Sequence, residues 1–337
     1  MTYWHPAFDT LERGMLVSGR AVSSRPRKWC SVRIGIVAPS CPPTPQRLDA
    51  GVRALRHQGF EVVVSHEVLR PRPFTAADDQ MRTEAIADML RREDIDALVC
   101  ARGGFGAARL IPYLSEVGPL PHKPFMGFSD ITVLLLSWLR SGGPQPVWGP
   151  MVAVSLGDDA PPRAVELGRR ALRGDLGGAE LIGPDDHAQS MVSGTVEAEV
   201  VGGTLCLCSE SIGTPYELDC KERILLLEDQ NEDLYRIDRY LMHLRLAGKL
   251  DDACGFILGR TFVGDDVTGF ARSLDELLAD YLAPLGKPVL ANVPTGHAEY
   301  CLPIPFGVPV RMAVGGSPSE HRLTVLGGRS LALSSPA

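Results

Sequence analysis

The chain has 337 residues, which favours two domains because a domain usually takes about 100–200 residues. Hydrophobic residues make up 45% and charged residues 22%, as in a folded globular protein, so disordered, collagen-like and coiled-coil chains are excluded. The net charge of −7 argues against a nucleic-acid partner, which needs concentrated positive charge, and the longest apolar run, 131–139, is too short to span a membrane.

The first 30 residues show no sustained periodicity, and we interpret residues 1–30 as an N-terminal extension. The chain does not begin with a basic segment followed by an apolar one, so no secretory signal is predicted and the expected compartment is the cytoplasm. Eight cysteines are present without a C-x-x-C pair, so neither a zinc ribbon nor a redox pair is predicted, and disulfides are not expected.

Strand and helix patterns alternate through residues 31–155, which predicts an α/β domain with a parallel sheet. The predicted strands are 32–38, 61–64, 95–100 and 124–127, and the predicted helices are 44–58, 76–93 and 130–140. Residues 156–194, with one predicted helix at 163–173, are interpreted as a linker. Residues 195–332 predict a mixed β/α domain with strands at 196–201, 223–228, 255–258 and 323–326 and helices at 234–247 and 270–283.

Ser129 lies where the strand 124–127 passes directly into a helix, a junction that can expose a nucleophile at the top of a sheet. The backbone N–H of Asp130 would then lie at the helix N-terminus, where it could stabilise an oxyanion. A helix N-cap is the alternative role for Ser129, and the second glycine of a G-x-S-x-G motif is missing.

The turn Arg102-Gly-Gly-Phe-Gly106 follows the predicted strand 95–100 and is the second candidate. Glycines allow the backbone to approach a ligand closely and to direct N–H groups at it. A phosphate-binding loop is disfavoured because no Lys-Ser/Thr pair follows and the glycine spacing differs. A simple tight turn is the alternative.

Glu228 lies at the end of an apolar run. His297 follows a glycine turn that comes just after a second apolar run, 289–293. A serine, a histidine and a carboxylate at three strand ends could form a catalytic triad, since triads are defined by geometry and not by chain order. An acidic turn and a loop histidine without a role are the alternatives. Metal-dependent hydrolysis is disfavoured because neither H-x-x-H nor H-E-x-x-H occurs.

Nine segments together resemble the LD-carboxypeptidase family, which also contains the microcin C immunity peptidases. The resemblance extends from about residue 32 to residue 325, nearly everything except the N-terminal extension. The segments that carry it are Ile34–Ser40, Arg102–Gly106, Gly127–Thr132, Gly149–Met151, Gly202–Leu205, Gly213–Pro215, Leu227–Asp229, Tyr235–Arg239 and Gly296–His297.

The resemblance implies a site between two domains: an N-terminal flavodoxin-like domain with a parallel sheet and a C-terminal β-rich swivelling β/α domain. It implies Ser129 as the nucleophile, His297 as the general base and Glu228 as the carboxylate that orients the histidine. The backbone N–H groups of Asp130 and Gly104 would form the oxyanion hole. The family also implies a homodimer without a metal or organic cofactor.

The function implied by the resemblance is that of a serine carboxypeptidase acting on a small peptide or muropeptide. It would release the terminal D-Ala of a murein tetrapeptide by cutting an L,D-peptide bond during cytoplasmic peptidoglycan recycling. Arg102 is expected to pair with the free carboxylate of the substrate, and Gly103 to line the binding site beside it.

Three positions differ from the family pattern: Thr204 replaces the usual Asn, and Phe105 and Phe128 replace common Tyr residues. The alternatives are an immunity peptidase that cleaves peptidyl or aminoacyl nucleotides, and a family member recruited to natural-product acyl hydrolysis or transfer. Two further alternatives are a thiol amidase that uses Cys100 and a binding module that has lost its chemistry.

Overall fold

The computed structural model describes residues 32–70, 74–156, 160–263 and 273–327. The strands in these ranges are β1 (Arg33–Val37), β2 (Glu61–Val64), β3 (Ala97–Cys100), β4 (Pro124–Gly127), β5 (Gln145–Trp148), β6 (Glu180–Ile182), β7 (Gln189–Val192), β8 (Gly194–Thr204), β9 (Ile224–Glu228), β10 (Gln230–Glu232), β11 (Gly255–Gly259), β12 (Phe262–Val263), β13 (Val289–Val293), β14 (Ile304–Pro305), β15 (Pro309–Val314) and β16 (Arg322–Val325). The α-helices are α1 (Pro45–His57), α2 (Asp79–Arg91), α3 (Ile111–Glu116), α4 (Thr132–Ser141), α5 (Pro162–Leu172), α6 (Leu205–Glu210), α7 (Leu234–Leu246), α8 (Lys249–Asp252) and α9 (Leu274–Leu282).

The first sheet has the strand order β14-β5-β4-β3-β1-β2, and β1 to β5 run parallel, so the parallel sheet predicted for the first half is confirmed. Its strands are nearly continuous apolar runs because helices cover both faces of a parallel sheet. The helix after Ala77 begins later than predicted, because the Asp78 side chain accepts a hydrogen bond from the Met81 N–H and caps α2.

The edge strand β14 comes from the C-terminal part of the chain and pairs antiparallel with β5, with Ile304 opposite Trp148. The prediction for the first half did not include this strand, which is only two residues long. Both of its residues are buried. The pairing joins the two halves of the chain directly at the edge of the first sheet.

The second sheet has the strand order β6-β16-β15-β8-β9-β11-β13-β7. Its centre, β8-β9-β11-β13, is parallel, whereas β15, β16, β6 and β7 pair antiparallel, which confirms a mixed β/α arrangement. Residues 156–194, predicted as a linker, contribute α5 and the two edge strands β6 and β7. The domain boundaries themselves stay predictions.

Helix α4 lies between the two sheets, and most of its side chains are buried. Leu134 and Leu135 pack in a core that contains residues of both sheets, and Leu136 packs in a second core beside α7 and α9. Burial of such a side chain stabilises the fold by about 1.5–3 kcal/mol. The start of α4 is therefore held against the second sheet, close to the carboxyl ends of β8 and β9.

Among the residues that the structure describes, no helix is both long and apolar enough to cross a membrane. This agrees with the short apolar run at 131–139.

Candidate active site

Ser129 occupies a strained backbone position between β4 and α4. Its φ is 62°, in the left-handed region that residues other than glycine seldom adopt. A single 3₁₀ turn, Ser129–Ile131, connects the strand to the helix, so the predicted strand-to-helix junction is present, with a 3₁₀ turn in place of the first helical turn. Strained conformations of this kind concentrate at functional sites, and here the strain turns the Ser129 side chain out of the helix and into a cavity.

His297, in the loop after β13, lies between Ser129 and Glu228. Its Nε2 is 3.2 Å from the Ser129 Oγ, and its Nδ1 is 2.7 Å from the Glu228 Oε2. A carboxylate can only accept a hydrogen bond, so Nδ1 donates the proton to Glu228 and Nε2 is left to accept one from the serine hydroxyl. The three side chains, distant in sequence, therefore form one hydrogen-bonded chain.

Glu228 is only 1% exposed at the end of β9, and three groups donate to its carboxylate. Besides Nδ1, the backbone N–H of His297 donates to Oε2 at 3.1 Å, and the Thr204 hydroxyl donates to Oε1 at 2.9 Å. Gly296 has a φ of 76°, and a Cβ there would lie 2.5 Å from the carboxylate. The histidine loop can close on Glu228 only because position 296 has no side chain.

The pKa of His297 is set by two opposing effects. Burial lowers it, but the hydrogen bond to Glu228 and the negative charges of Glu228 and Asp229 raise it more, so the pKa lies above the ordinary histidine value. Burial also raises the pKa of Asp229, to about 6, although the N–H groups of Cys206 and Gln230 donate to its carboxylate. The acidic surroundings thus favour the protonated form of the imidazole.

Gly103 and Gly104 bring the backbone of the Arg102–Gly106 turn against Ser129. A Cβ on Gly103 would lie 2.9 Å from the Ser129 Cβ and 3.4 Å from the Asp130 N atom. The Gly103 carbonyl accepts a hydrogen bond from the Cys41 N–H at 3.3 Å. Because N–H and C=O point in opposite directions in a trans peptide, the Gly104 N–H points away from Cys41.

The backbone N–H groups of Asp130 and Gly104 donate to no residue within the described ranges. This is the condition that an oxyanion hole requires before substrate binds. The assignment of these two groups to the oxyanion hole stays a prediction.

The Asp130 side chain has a role that the sequence interpretation missed. It is buried and accepts hydrogen bonds from the Ser40 hydroxyl at 2.6 Å and the Ala107 N–H at 2.8 Å. Burial raises its pKa, and these donors, with the nearby Arg82, lower it only in part. Through its side chain, Asp130 therefore holds the loop after β1 and the end of the glycine turn next to Ser129. The sequence signal that could have indicated this role is the position of Asp130 just after the predicted strand 124–127.

A second missed feature fixes the histidine loop from behind. The Trp148 Nε1 donates to the Thr295 Oγ1 at 3.1 Å, and that hydroxyl donates to the Leu302 carbonyl at 2.7 Å. The Phe128 ring meets the His297 ring edge to face, with 5.0 Å between centroids. The phenylalanine that replaces a common tyrosine thus packs against the imidazole.

The site opens into a cavity of 310 Å³. Arg102, Gly103 and Gly104 border it, and their roles in substrate binding and in the oxyanion hole stay predictions. Phe105 is 58% exposed and does not line the cavity. Within the part of the chain that the structure describes, the lining residues are Pro43, Thr44, Arg47, Arg102, Gly103, Gly104, Phe128, Ser129, Met151, Ala153, Val154, Gln230 and His297.

Cys100 does not fit the role of a nucleophile. Its side chain is fully buried, and burial, followed by the charge of Asp130, raises its pKa well above the ordinary thiol value. A reactive cysteine needs access and a stabilised thiolate, and this one has neither. The structure therefore excludes the thiol alternative.

One group of three potential metal ligands occurs within the described ranges: Cys206, Asp229 and Glu232. Burial raises the pKa of the Cys206 thiol, which opposes the thiolate that a metal would need. Both Asp229 oxygens already accept backbone hydrogen bonds. That no metal is required stays a prediction.

Comparisons with known proteins cover most of the chain. Two family models match it: the LD-carboxypeptidase N-terminal domain at residues 34–147 and the LD-carboxypeptidase C-terminal domain at residues 197–312. The chain is 31% identical over 283 residues to the probable murein peptide carboxypeptidase of Bacillus subtilis (strain 168), with 83% of this chain and 88% of that protein covered. It is 28% identical over 299 residues to the murein tetrapeptide carboxypeptidase of Pseudomonas aeruginosa, covering 85% and 96%.

Among solved structures, the chain is similar to that of the microcin C7 self-immunity protein MccF in complex with glutamyl sulfamoyl guanosine. The TM-score is 0.76 at 22% identity, and 89% of this chain and 97% of that chain are covered. At this identity the likeness concerns the fold, and it agrees with the two-domain α/β architecture expected from the sequence.

Proposed function

The chain belongs to the LD-carboxypeptidase family, and on that premise we propose that it is a serine carboxypeptidase that removes the terminal D-alanine from a murein tetrapeptide. The observation that carries the proposal is the hydrogen-bonded chain from Ser129 through His297 to Glu228 at a cavity. We extend the proposal to a cytoplasmic role in peptidoglycan recycling and to a homodimer, as the family resemblance implies.

In the first half of the reaction, Ser129 Oγ attacks the carbonyl carbon of the L,D-peptide bond while Nε2 of His297 takes the hydroxyl proton. The carbonyl oxygen gains a negative charge, for which the N–H groups of Asp130 and Gly104 are the proposed donors. His297 then gives the proton to the leaving amine, so D-alanine departs and the rest of the peptide stays on Ser129 as an ester.

In the second half, water replaces D-alanine in the cavity. His297 removes a proton from the water, the hydroxide attacks the ester carbonyl, and the proton returns to Ser129 Oγ as the shortened peptide leaves. Glu228 does not change its protonation state in this scheme. Its charge holds the imidazole in the required tautomer and stabilises the imidazolium that forms twice per cycle.

Arg102 is proposed to recognise the free C-terminal carboxylate. A guanidinium can donate two parallel hydrogen bonds to a carboxylate, which accounts for release of a terminal residue and not cleavage inside a chain. Arg102 borders the cavity next to the glycine turn, which supports this role.

A second candidate function is cleavage of an aminoacyl or peptidyl nucleotide. The likeness of the fold to an immunity protein solved with glutamyl sulfamoyl guanosine favours it. Hydrolysis or transfer of another acyl group in natural-product metabolism would use the same serine and histidine.

The experiment that separates these functions is incubation of the purified protein with murein tetrapeptide, with and without the N-acetylmuramoyl group, followed by mass spectrometry. Loss of one alanine is expected. An intact tetrapeptide together with cleavage of an aminoacyl sulfamoyl nucleotide would replace the carboxypeptidase proposal with the immunity function. If neither compound is cleaved, both proposals are wrong.

The activity is expected to show an acid limb at a pH above the ordinary histidine pKa of about 6.5. His297 accepts a proton only when it is neutral, and its pKa is raised, so kcat/KM should fall as the pH drops through that raised value. The measurement is a pH profile of kcat/KM for tetrapeptide hydrolysis. A limb at or below the ordinary value would contradict the coupling of His297 to Glu228.

Gly103→Ala is expected to lower kcat by about 10²-fold, since a misplacement of reacting atoms by about 1 Å costs this much. The new methyl group would lie 2.9 Å from the Ser129 Cβ, so either Ser129 or the turn must shift. Gly168→Ala in α5 is the matched control, because the nearest atom to its Cβ is 4.0 Å away. A kcat for Gly103→Ala equal to that of the control would show that Ser129 is not confined by the turn.

A further inference from the structure

The cavity next to Ser129 is bordered by two arginines and, within the described ranges, by no carboxylate. Arg102 lies in the glycine turn, and Arg47 lies in the first turn of α1. The net charge of the chain is −7, so a purely cationic lining does not follow from the average composition. A cleft lined by one sign of charge selects ligands of the other sign.

Arg47 is exposed, and Arg102 is half-buried. Neither guanidinium forms an ion pair or a hydrogen bond with a residue that the structure describes, and the Nε of Arg102 is buried without a hydrogen-bond partner. By contrast, Arg82 in α2 and Arg109, which follows the glycine turn, both form ion pairs with Asp79. A buried donor left unpaired is unfavourable, and a bound anion would give the Arg102 Nε a partner.

The proposed function uses only one of these two cations, namely Arg102 for the C-terminal carboxylate. Arg47 borders the same cavity beside Thr44, the residue that caps α1, so the positive end of the α1 dipole adds to its charge there. The Thr44 hydroxyl accepts from the Arg47 N–H at 3.4 Å, which fixes the start of the helix at the cavity edge.

We propose that Arg47 binds a second anionic group of the substrate, so that the protein selects substrates with an anion besides the one at Arg102. This inference rests on the proposed function for the role of Arg102. In a murein tetrapeptide the second anion would be a side-chain or branch carboxylate; in an aminoacyl nucleotide it would be a phosphate. The shared chemistry is an oxyanion that accepts from a guanidinium.

The kinetic test compares Arg47→Gln with Arg47→Lys, and with Arg56→Gln as the control, because Arg56 is exposed on the same helix and does not border the cavity. KM for the tetrapeptide is expected to rise about tenfold to a hundredfold in Arg47→Gln, with kcat nearly unchanged. Arg47→Lys should restore part of the affinity. Arg56→Gln should behave as wild type.

The substrate arm uses tetrapeptides amidated at single carboxyl groups other than the C-terminal one. For one amidated peptide, the KM of the wild type should rise to the value that Arg47→Gln shows with the parent peptide. Arg47→Gln should have the same KM for the amidated peptide and for the parent peptide. The inference is overturned if every amidation raises KM equally for the wild type and for Arg47→Gln. It is also overturned if Arg47→Gln and Arg56→Gln have the same KM. Cleavage of the tetrapeptide would still support the proposed function in both cases.

A third arm does not depend on the substrate. A neutral fluorophosphonate labels the active-site serine, and dicarboxylates of increasing length should slow the labelling more than monocarboxylates do, an advantage lost in Arg47→Gln. This result without tetrapeptide cleavage would leave the anion site in place and overturn the proposed substrate. Stronger protection by a phosphomonoester would assign phosphate as the second anion. Equal protection by mono- and dianions in all variants would overturn the inference.

Discussion

Ser129→Ala is expected to lower kcat for D-alanine release by about 10⁴- to 10⁶-fold, because removal of a triad nucleophile leaves only the contributions of binding and of the oxyanion hole. The substitution deletes one oxygen, whose hydrogen-bond partner is His297. The fold should therefore persist, with a melting temperature close to that of the wild type. The measurement is mass spectrometric quantification of alanine under saturating substrate, with thermal unfolding followed by circular dichroism.

Ser137→Ala in α4 is the matched control, since it deletes the same atom about two helical turns further along, outside the cavity. It should retain full activity. Undiminished hydrolysis by Ser129→Ala would remove this residue from the reaction. A lost activity together with a collapsed melting curve would point to a structural role, and a titration of substrate binding to the variant would then decide between the two.

The parallel sheet and the placement of Ser129 could be predicted from the sequence because both depend on local patterns. Short apolar runs alternate with helical spacing, which is typical of a parallel sheet covered by helices. The junction after Gly127 is visible in the same way. The left-handed φ of Ser129 was not predictable, because nothing in Phe128-Ser129-Asp130 forces it.

The connections between distant parts of the chain could not be predicted from these patterns. The strand β14 has two residues, too few for a periodic signal, and its pairing with β5 depends on the whole tertiary fold. The contact of Thr204 with Glu228 follows from the register of β8 and β9, in which these residues are opposite each other. Periodicity gives no information on register between strands separated by α6. The roles of the Asp130 side chain and of Thr295 depend on the same kind of contact.

The family resemblance supplied what the local patterns did not, namely that one serine, one glutamate and one histidine belong together. From residue types alone, Glu228 was one of several acidic residues after a strand and His297 one of eight histidines. The structure adds a physical reason for each choice: Glu228 is the buried carboxylate within reach of an imidazole, and a glycine at position 296 lets the loop close on it.

Glu228→Gln is expected to lower kcat by about 10⁴-fold, the effect of the analogous acid-to-amide change in a serine protease triad. Glutamine has nearly the same shape but no charge, and its amide nitrogen can donate to Nδ1 of His297. The imidazole would then carry its proton on Nε2 and could not accept one from Ser129. Loss of the Glu228 charge also removes the main contributions that raise the pKa of His297, while burial still lowers it. The acid limb of the residual activity should therefore move to lower pH.

The control for this prediction is Asp229→Asn, which removes the neighbouring charge without breaking the contact between Glu228 and His297. It should lower the pKa of His297 slightly, because Asp229 acts on the imidazole only through its charge. The amide keeps one of the two backbone hydrogen bonds that the carboxylate accepts, so the loss of activity should be far smaller than in Glu228→Gln. The two pH profiles of kcat/KM, measured with tetrapeptide, separate the effects. If both variants lose the same activity, the site depends on the summed negative charge and not on the orientation of one imidazole. If Glu228→Gln keeps the wild-type acid limb, His297 does not titrate against Glu228, and the proposed base must be sought elsewhere at the cavity.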